Sequence, residues 1–184
     1  VEAAVRMNVV TGVNQTALQL QETMADEMDS DLVETTAHSG ARPSHAKWQG
    51  KVFSRSGKSK KYPDFRRATG YGTGPGLGGW NCRHSFHPYF EGMARTYGAG
   101  ELKKLEEKSI TYNGEKLTEY EASQRQRYME RQIRRWKREQ QAMKAAGQPQ
   151  EEAKAKLKEW RALQSDFVEQ TGLKRQYDRE RVGG

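Results

Sequence analysis

All four histidines and the single cysteine of the chain fall between His38 and His87. They group as His38 with His45, and as Cys82-x-His84-x-x-His87. Neutral imidazole nitrogen and thiolate sulfur are the ligands of tetrahedral zinc. Two ligand groups separated by an intervening segment form the general plan of a structural zinc site. His38, His45, Cys82 and His84 are the expected ligands, and zinc is the expected ion. The plainer alternative is that these side chains hydrogen-bond to one another inside an aromatic core. Two catalytic readings draw on the same residues. Cys82 with a histidine base is a thiol nucleophile in outline, and the neighbouring Arg83 would lower the thiol pKa. Nothing nearby marks an oxyanion hole or an acid that orients the base. His38, His45 and His84 could instead hold a hydrolytic metal, with Glu34 and Asp64 as available carboxylates. A metal-dependent hydrolase or nuclease is therefore the alternative function. There is no HExxH, no phosphate loop ending in Lys-Ser/Thr, and no nucleophile elbow.

The segments around these residues suggest how they are held. Arg42 sits between the loop Ser39-Gly40-Ala41 and Pro43. It either clamps an anion or, more commonly, caps a loop carbonyl. Trp48-Gln49-Gly50-Lys51 reads as a buried tryptophan at a turn. Gly70 to Gly79 is dense in glycine. No apolar strand precedes it and no helix start follows it, so a dinucleotide site is not expected. It is expected to be a conformationally special loop that supports the aromatic run from Trp80 to Phe90.

The composition limits the core. Of 184 residues, 34% are apolar and 30% charged, against the usual ~45–50% apolar of a globular domain, glycine included. Mean hydropathy is -1.07. A modest core with solvated appendages is expected. Val1 to Asn8 has no apolar signal region, no stretch is long enough to span a bilayer, and no membrane partner is expected. A start at Val1 reads as a processed piece or fragment. A lone cysteine excludes an internal disulfide and fits a reducing compartment. Net charge is +8, which favours polyanion partners, nucleic acid first.

The expected fold class is α+β: a small domain with short β-hairpins and a Gly-rich loop, extended by a long C-terminal antiparallel helical hairpin. Residues 1–30 read as an N-terminal helical segment, with Val13, Ala17, Leu20, Met24 and Met28 at helical spacing. Residues 31–117 read as the His/Cys-cluster domain. It holds strands near Leu32–Thr36 and Lys51–Ser54, a short helix opened by Pro43, and an Asn113-Gly114 hairpin. Residues 118–172 read as a basic helical hairpin, begun by a Thr118/Glu121 capping box and broken by Gly147-Gln148-Pro149. Tyr128, Ile133, Trp136 and Met143 are expected to face Ala153, Leu157, Trp160, Leu163 and Phe167. Residues 173–184 read as a flexible tail. Arg127, Arg131, Arg134, Arg135 and Arg138 make the first helix of the hairpin a candidate phosphate-binding face. Tyr128 and Trp136 do not interleave as a stacking platform, so base readout is not expected.

Three stretches carry a family resemblance: Val9-Val10-Thr11-Gly12-Val13-Asn14-Gln15-Thr16, the run from Thr36 to Lys51, and Gly70-Tyr71-Gly72-Thr73-Gly74 with Gly78 to Phe86. Together they resemble the C-terminal part of phage minor capsid proteins of the "minor capsid protein 2" type. Arg42, Trp48, Gly50, Asn81 and Arg83 belong to the motif as structural residues. The resemblance implies a virion protein acting in head morphogenesis near the portal, assembled in the host cytoplasm. Its implied partners are portal or other capsid proteins and packaged DNA, with a homo-oligomer through the C-terminal helices. The chain is also distantly similar to phage Mu F-like head proteins, which carry a Cys-x-x-Cys pair before Gly-Lys and a later His-Pro-Asn-Cys-Arg-Cys run. His45 stands in place of the second cysteine of the pair, and His84 in place of the last cysteine of the run. Arg42 and Gly79 replace two other ligand positions, so His38 or His87 would have to complete a metal site.

Overall fold

A computed structural model describes residues 2–182. The chain is α+β, and it divides into two compact units after Glu106.

The first unit opens with α1 (Glu2–Glu27). Asp29, with φ 49°, turns the chain into β1 (Leu32–Thr35). Pro43 opens the single turn α2 (Pro43–Ala46), where its missing N–H costs nothing. β2 (Val52–Ser54) follows. Asp64 then caps α3 (Phe65–Thr69) by accepting from the Arg67 amide. β3 (Phe86–Tyr89) completes a three-stranded antiparallel sheet in the order β2-β1-β3, with Val33 opposite both Phe53 and Pro88. Pro88 is tolerated because β3 is an edge strand. The core is Leu18, Ala25, Val33, Trp48, Phe53, Phe65, Leu77 and Phe86. Phe65 sits edge-on to Phe86 at 4.9 Å. α4 (Ala99–Leu105) ends the unit.

The N-terminal helix is thus part of this core, through Leu18 and Ala25, and not a separate segment. Its buried positions are Thr11, Leu18 and Ala25. Of the apolar series read at helical spacing, Val13, Leu20, Met24 and Met28 are exposed. Two apolar stripes run along α1, and spacing alone does not tell which one is inside.

The second unit holds the hairpin β4 (Ile110–Tyr112) and β5 (Glu115–Leu117), then α5 (Glu119–Ala145) and α6 (Glu151–Thr171). Thr118 and Glu121 form the expected capping box, and Gly172 ends α6 at φ 68°. The β-hairpin packs here rather than with the His/Cys region: Leu117 is buried with Ala122, Met129 and Phe167, and the Tyr112 ring meets Phe167 at 4.7 Å. The compact boundary therefore lies before the hairpin, not after it. In the α5–α6 seam Ile133, Ala153, Leu157 and Phe167 are buried as expected, whereas Tyr128 and Leu163 lie on the exposed rim. The segment expected to fray is tied down instead. A short 3-10 turn, Tyr177–Glu180, is held by the Arg175–Glu180 ion pair at 2.7 Å. Lys137 Nζ and Arg134 Nη1 donate to the Glu180 and Arg179 carbonyls.

Two polar groups are out of place in this second unit. Gln164 is fully buried with neither amide atom partnered among the described residues, and Glu130 Oε1 is buried and unpartnered. Burial pushes the Glu130 carboxyl above its usual range. An unsatisfied buried polar group costs about 1–3 kcal/mol. Gln164→Leu is expected to stabilise the second unit by about 1 kcal/mol in urea unfolding. A loss of stability would mean that the amide has a partner in solution.

Candidate metal centre

Three side chains from two segments converge in the first unit. His45 comes from α2, and Cys82 and His84 from the loop between the Gly-rich turn and β3. Their ligating atoms all lie within 4.8 Å of one another, and all three residues are buried. The Cys82 Sγ is 3.8 Å from His45 Nδ1 and 3.7 Å from His84 Nδ1.

The outer nitrogens fix the tautomers. His45 Nε2 is 2.8 Å from the Pro75 carbonyl. A carbonyl only accepts, so Nε2 carries the proton and Nδ1 presents a bare lone pair. His84 Nε2 donates in the same way to Gln49 Oε1 at 3.1 Å. That oxygen also accepts from the His38 amide, at 3.1 Å. Two lone pairs thus face one thiol, which has a single proton to donate. Without a cation, one buried acceptor stays unmatched. With zinc, all three atoms become ligands, and the outer N–H bonds are the supporting contacts that metal-bound histidines usually make. Zn–S of ~2.3 Å and Zn–N of ~2.0–2.1 Å in a tetrahedron put sulfur and nitrogen about 3.5 Å apart, a few tenths of an ångström less than the two sulfur–nitrogen distances here. These three residues could hold a metal ion.

The scaffold explains why these atoms meet. Trp48 packs its ring 4.7 Å from both His45 and His84. Asn14 of α1 donates from Nδ2 to the Cys82 carbonyl at 3.1 Å. Arg42 caps a carbonyl, that of Trp80, at 2.7 Å. Gly74 O accepts from Trp80 N at 2.7 Å, and Asn81 takes φ 52°. The Gly-rich turn is wound backbone on backbone: a Cβ on Gly76 would run into the backbone of Gly70, and one on Gly79 into the backbone of Gly74. That tight winding delivers the Pro75 carbonyl to His45. Gly50 at φ 62° lends its carbonyl to Arg95.

Not every expected ligand joins the group. His38 stacks on His84, with ring centroids 4.2 Å apart, but lies outside the three-atom cluster. Its Nδ1 is 2.7 Å from the Ser39 carbonyl, and its Nε2 is buried with no partner among the described residues. Arg83 approaches His38 Nδ1 at 3.4 Å. His87 points elsewhere, 3.5 Å from Glu34 Oε2. Glu34 itself is nearly inaccessible and binds Arg95 Nε at 2.8 Å and the Thr96 amide at 3.0 Å. Those bonds hold its carboxyl below the usual range against the opposing effect of burial. Asp64 is the α3 cap. Neither carboxylate belongs to the ligand group. Sequence reasoning missed Asn14, Gln49 and the Pro75 carbonyl, although Asn14 and Gln49 sit inside the motifs quoted above.

Burial pushes the His84 imidazole down to about 3, helped by His38, His45, Arg83 and Arg42, and lowers His45 for the same first reason. Unfolded histidine takes a proton near pH 6.5. Between that pH and about 3 the unfolded chain binds more protons than the folded one, so stability falls on acidification. The urea midpoint is expected to drop between pH 7 and pH 5, before carboxylates titrate. A flat profile over that range would contradict neutral buried imidazoles.

On α5, Arg127, Arg131, Arg135 and Arg138 are exposed. Arg131 lies over the Tyr128 ring and Arg135 over the Trp136 ring. Arg134 is committed to the Arg179 carbonyl.

The family model described as phage minor capsid protein 2 matches residues 1–169. The chain belongs to that family. It is 34% identical over 153 residues to a protein of Lactococcus phage LL-H named "Structural protein", covering 79% of this chain and 38% of that relative. It is 35% identical over 116 residues to a protein of Lactococcus phage mv4 with the same name, covering 61% of this chain and 86% of the relative. This minor capsid chain therefore spans well under half the length of the LL-H protein. No solved structure matches it. As a phage structural protein it is a component of the virion. Among the described residues, no helix is long and apolar enough to cross a membrane.

Proposed function

We propose that this chain works in the phage head near the portal, where its first unit is locked by a structural zinc ion and its second unit contacts packaged DNA. The observation that supports the zinc is the pair of bare Nδ1 lone pairs aimed at Cys82. His45, Cys82 and His84 would hold the ion, with His38 the nearest candidate for a fourth position. Bound zinc supplies folding free energy to a chain with little apolar surface to bury. Portal or other capsid proteins are the partners, assembly takes place in the host cytoplasm, and the C-terminal helices are a surface for self-association. A hydrolytic or nuclease site has less support, because Glu34 and Asp64 are engaged in ion pairing and helix capping.

DNA contact rests on Arg127, Arg131 and Arg138, which share one exposed face of α5. Three phosphate contacts imply a salt slope of about -3 and a roughly 40-fold loss of affinity between 50 and 200 mM salt. Filter binding with duplex DNA of mixed sequence tests this. Replacing the three arginines by alanine is expected to flatten the slope. Binding that ignores salt, or an unchanged slope in the triple variant, would contradict DNA contact through this face.

A further inference from the structure

The positive charge of the first unit is gathered in one place. Residues 55–67 hold six cations, Arg55, Lys58, Lys60, Lys61, Arg66 and Arg67, and one acid, Asp64. The rest of that unit, 1–54 and 68–106, holds eight cations and ten acids. Three of the six cations are neutralised nearby. Arg55 pairs with Asp26, Lys61 with Glu91, and Arg66 with Glu22 at 3.1 Å. Lys58, Lys60 and Arg67 are exposed and have no ion-pair partner among the described residues.

The loop that carries the lysines is bonded internally. Asp31 accepts from Ser54 Oγ and from the Ser56 amide, both at 2.7 Å. Ser59 Oγ accepts from the amides of Lys61 and Tyr62, at 3.2 and 3.1 Å. The Ser54 amide donates to the Pro63 carbonyl at 2.9 Å and closes the base of the loop. Asp64 joins the loop to α3. One of its carboxylate oxygens accepts from the Arg67 amide at 2.6 Å, and the other crowds the position that a Cβ on Gly57 would take. Lys58 and Arg67 therefore rise from the same patch of surface, and the one acid of the segment is occupied as a helix cap.

The surroundings indicate which polyanion fits. A protein partner needs an apolar centre to its interface. This patch offers none, since Val52, Phe53 and Phe65 are buried. Single-stranded bases need open aromatic faces on which to stack. Tyr62, the one aromatic of the loop, is half-buried, with the Lys61 ammonium over its ring. Unpaired positive charge on a polar, preformed surface suits the phosphates of a duplex.

We propose that the 55–67 surface is a second contact for duplex DNA, made by the first unit through Lys58, Lys60 and Arg67. It touches phosphates and reads no sequence. It does not rest on the arginine face of α5, and either contact can fail without the other.

Filter binding of mixed-sequence duplex DNA to the whole chain tests it, starting from a parent variant with Arg127→Ala, Arg131→Ala and Arg138→Ala. The parent is expected to keep binding with a salt slope of about -3, a roughly 40-fold loss of affinity between 50 and 200 mM salt. Adding Lys58→Ala, Lys60→Ala and Arg67→Ala is expected to bring the slope close to zero at an unchanged melting temperature, because all three side chains are exposed. Adding Lys47→Ala, Lys103→Ala and Lys104→Ala instead removes the same charge from other exposed positions of the unit and is expected to leave the slope as it was. A parent that no longer binds would overturn the proposal and leave DNA to α5 alone. An unchanged slope in the loop variant, or an equal drop in both sextuple variants, would also overturn it. Binding to polyglutamate as tight as to DNA, lost with the same three side chains, would overturn it in favour of an acidic protein. A parent with the native slope would sink the α5 contact and leave this one standing.

Discussion

Replacing Cys82 by alanine is expected to unfold the first unit, or to cost more than about 4 kcal/mol, in urea titrations of the zinc-loaded chain. The size of the effect separates two accounts. If the cluster is only a buried set of hydrogen-bonding side chains, the variant loses one weak S–H donor and a small volume, about 1 kcal/mol. If sulfur is a ligand, the ion goes with it, and two imidazoles are left buried with nothing between their lone pairs. His45→Ala is expected to match the cysteine variant, since His45 Nδ1 lies on the other side of the same sulfur. His87→Ala is the contrast: that ring faces Glu34 and Thr96, outside the ligand group, and metal retention should be unaffected. Equal, small losses for Cys82→Ala and His45→Ala would remove the ion from the account.

Gly76→Ala is expected to cost about 3 kcal/mol or more. A methyl group there meets backbone atoms of Gly70, which have no rotamer to turn away, and overpacking against fixed atoms is destabilising by about that amount. The damage extends beyond the turn. Pro75 is next in the chain, and its carbonyl orients His45. The variant is therefore expected to bind zinc more weakly as well as to unfold earlier. Gly100→Ala is the matching control: Gly100 lies in α4, a Cβ there would meet nothing within 4 Å, and alanine favours helix. A Gly76→Ala chain as stable as the control would mean that the turn can open without cost.

The convergence of His45, Cys82 and His84 was legible because ligand chemistry restricts the residue types, and few such residues exist in the chain. What orients them was not. Pro75 acts through a main-chain carbonyl, which any residue at that position supplies. Gln49 and Asn14 are polar residues whose partners are decided by packing between α1, α2 and the metal loop. β3 was hidden for a related reason: His87 and Pro88 interrupt its apolar alternation, and only the pairing with β1 makes it a strand. α3 is five residues long and is set by the Asp64 cap, too short for periodicity to register. The C-terminal helices were readable because capping box, length and glycine stop agree with one another. Their tail was not, since its order comes from Arg134, Lys137 and Arg175 reaching the last turn.

The metal content of the purified chain, measured by elemental analysis beside the Cys82→Ala variant, tests the central claim most directly. One zinc per native chain and none in the variant is the expected result. A native chain free of metal after folding in zinc-replete medium, or a variant that retains its zinc, would contradict it.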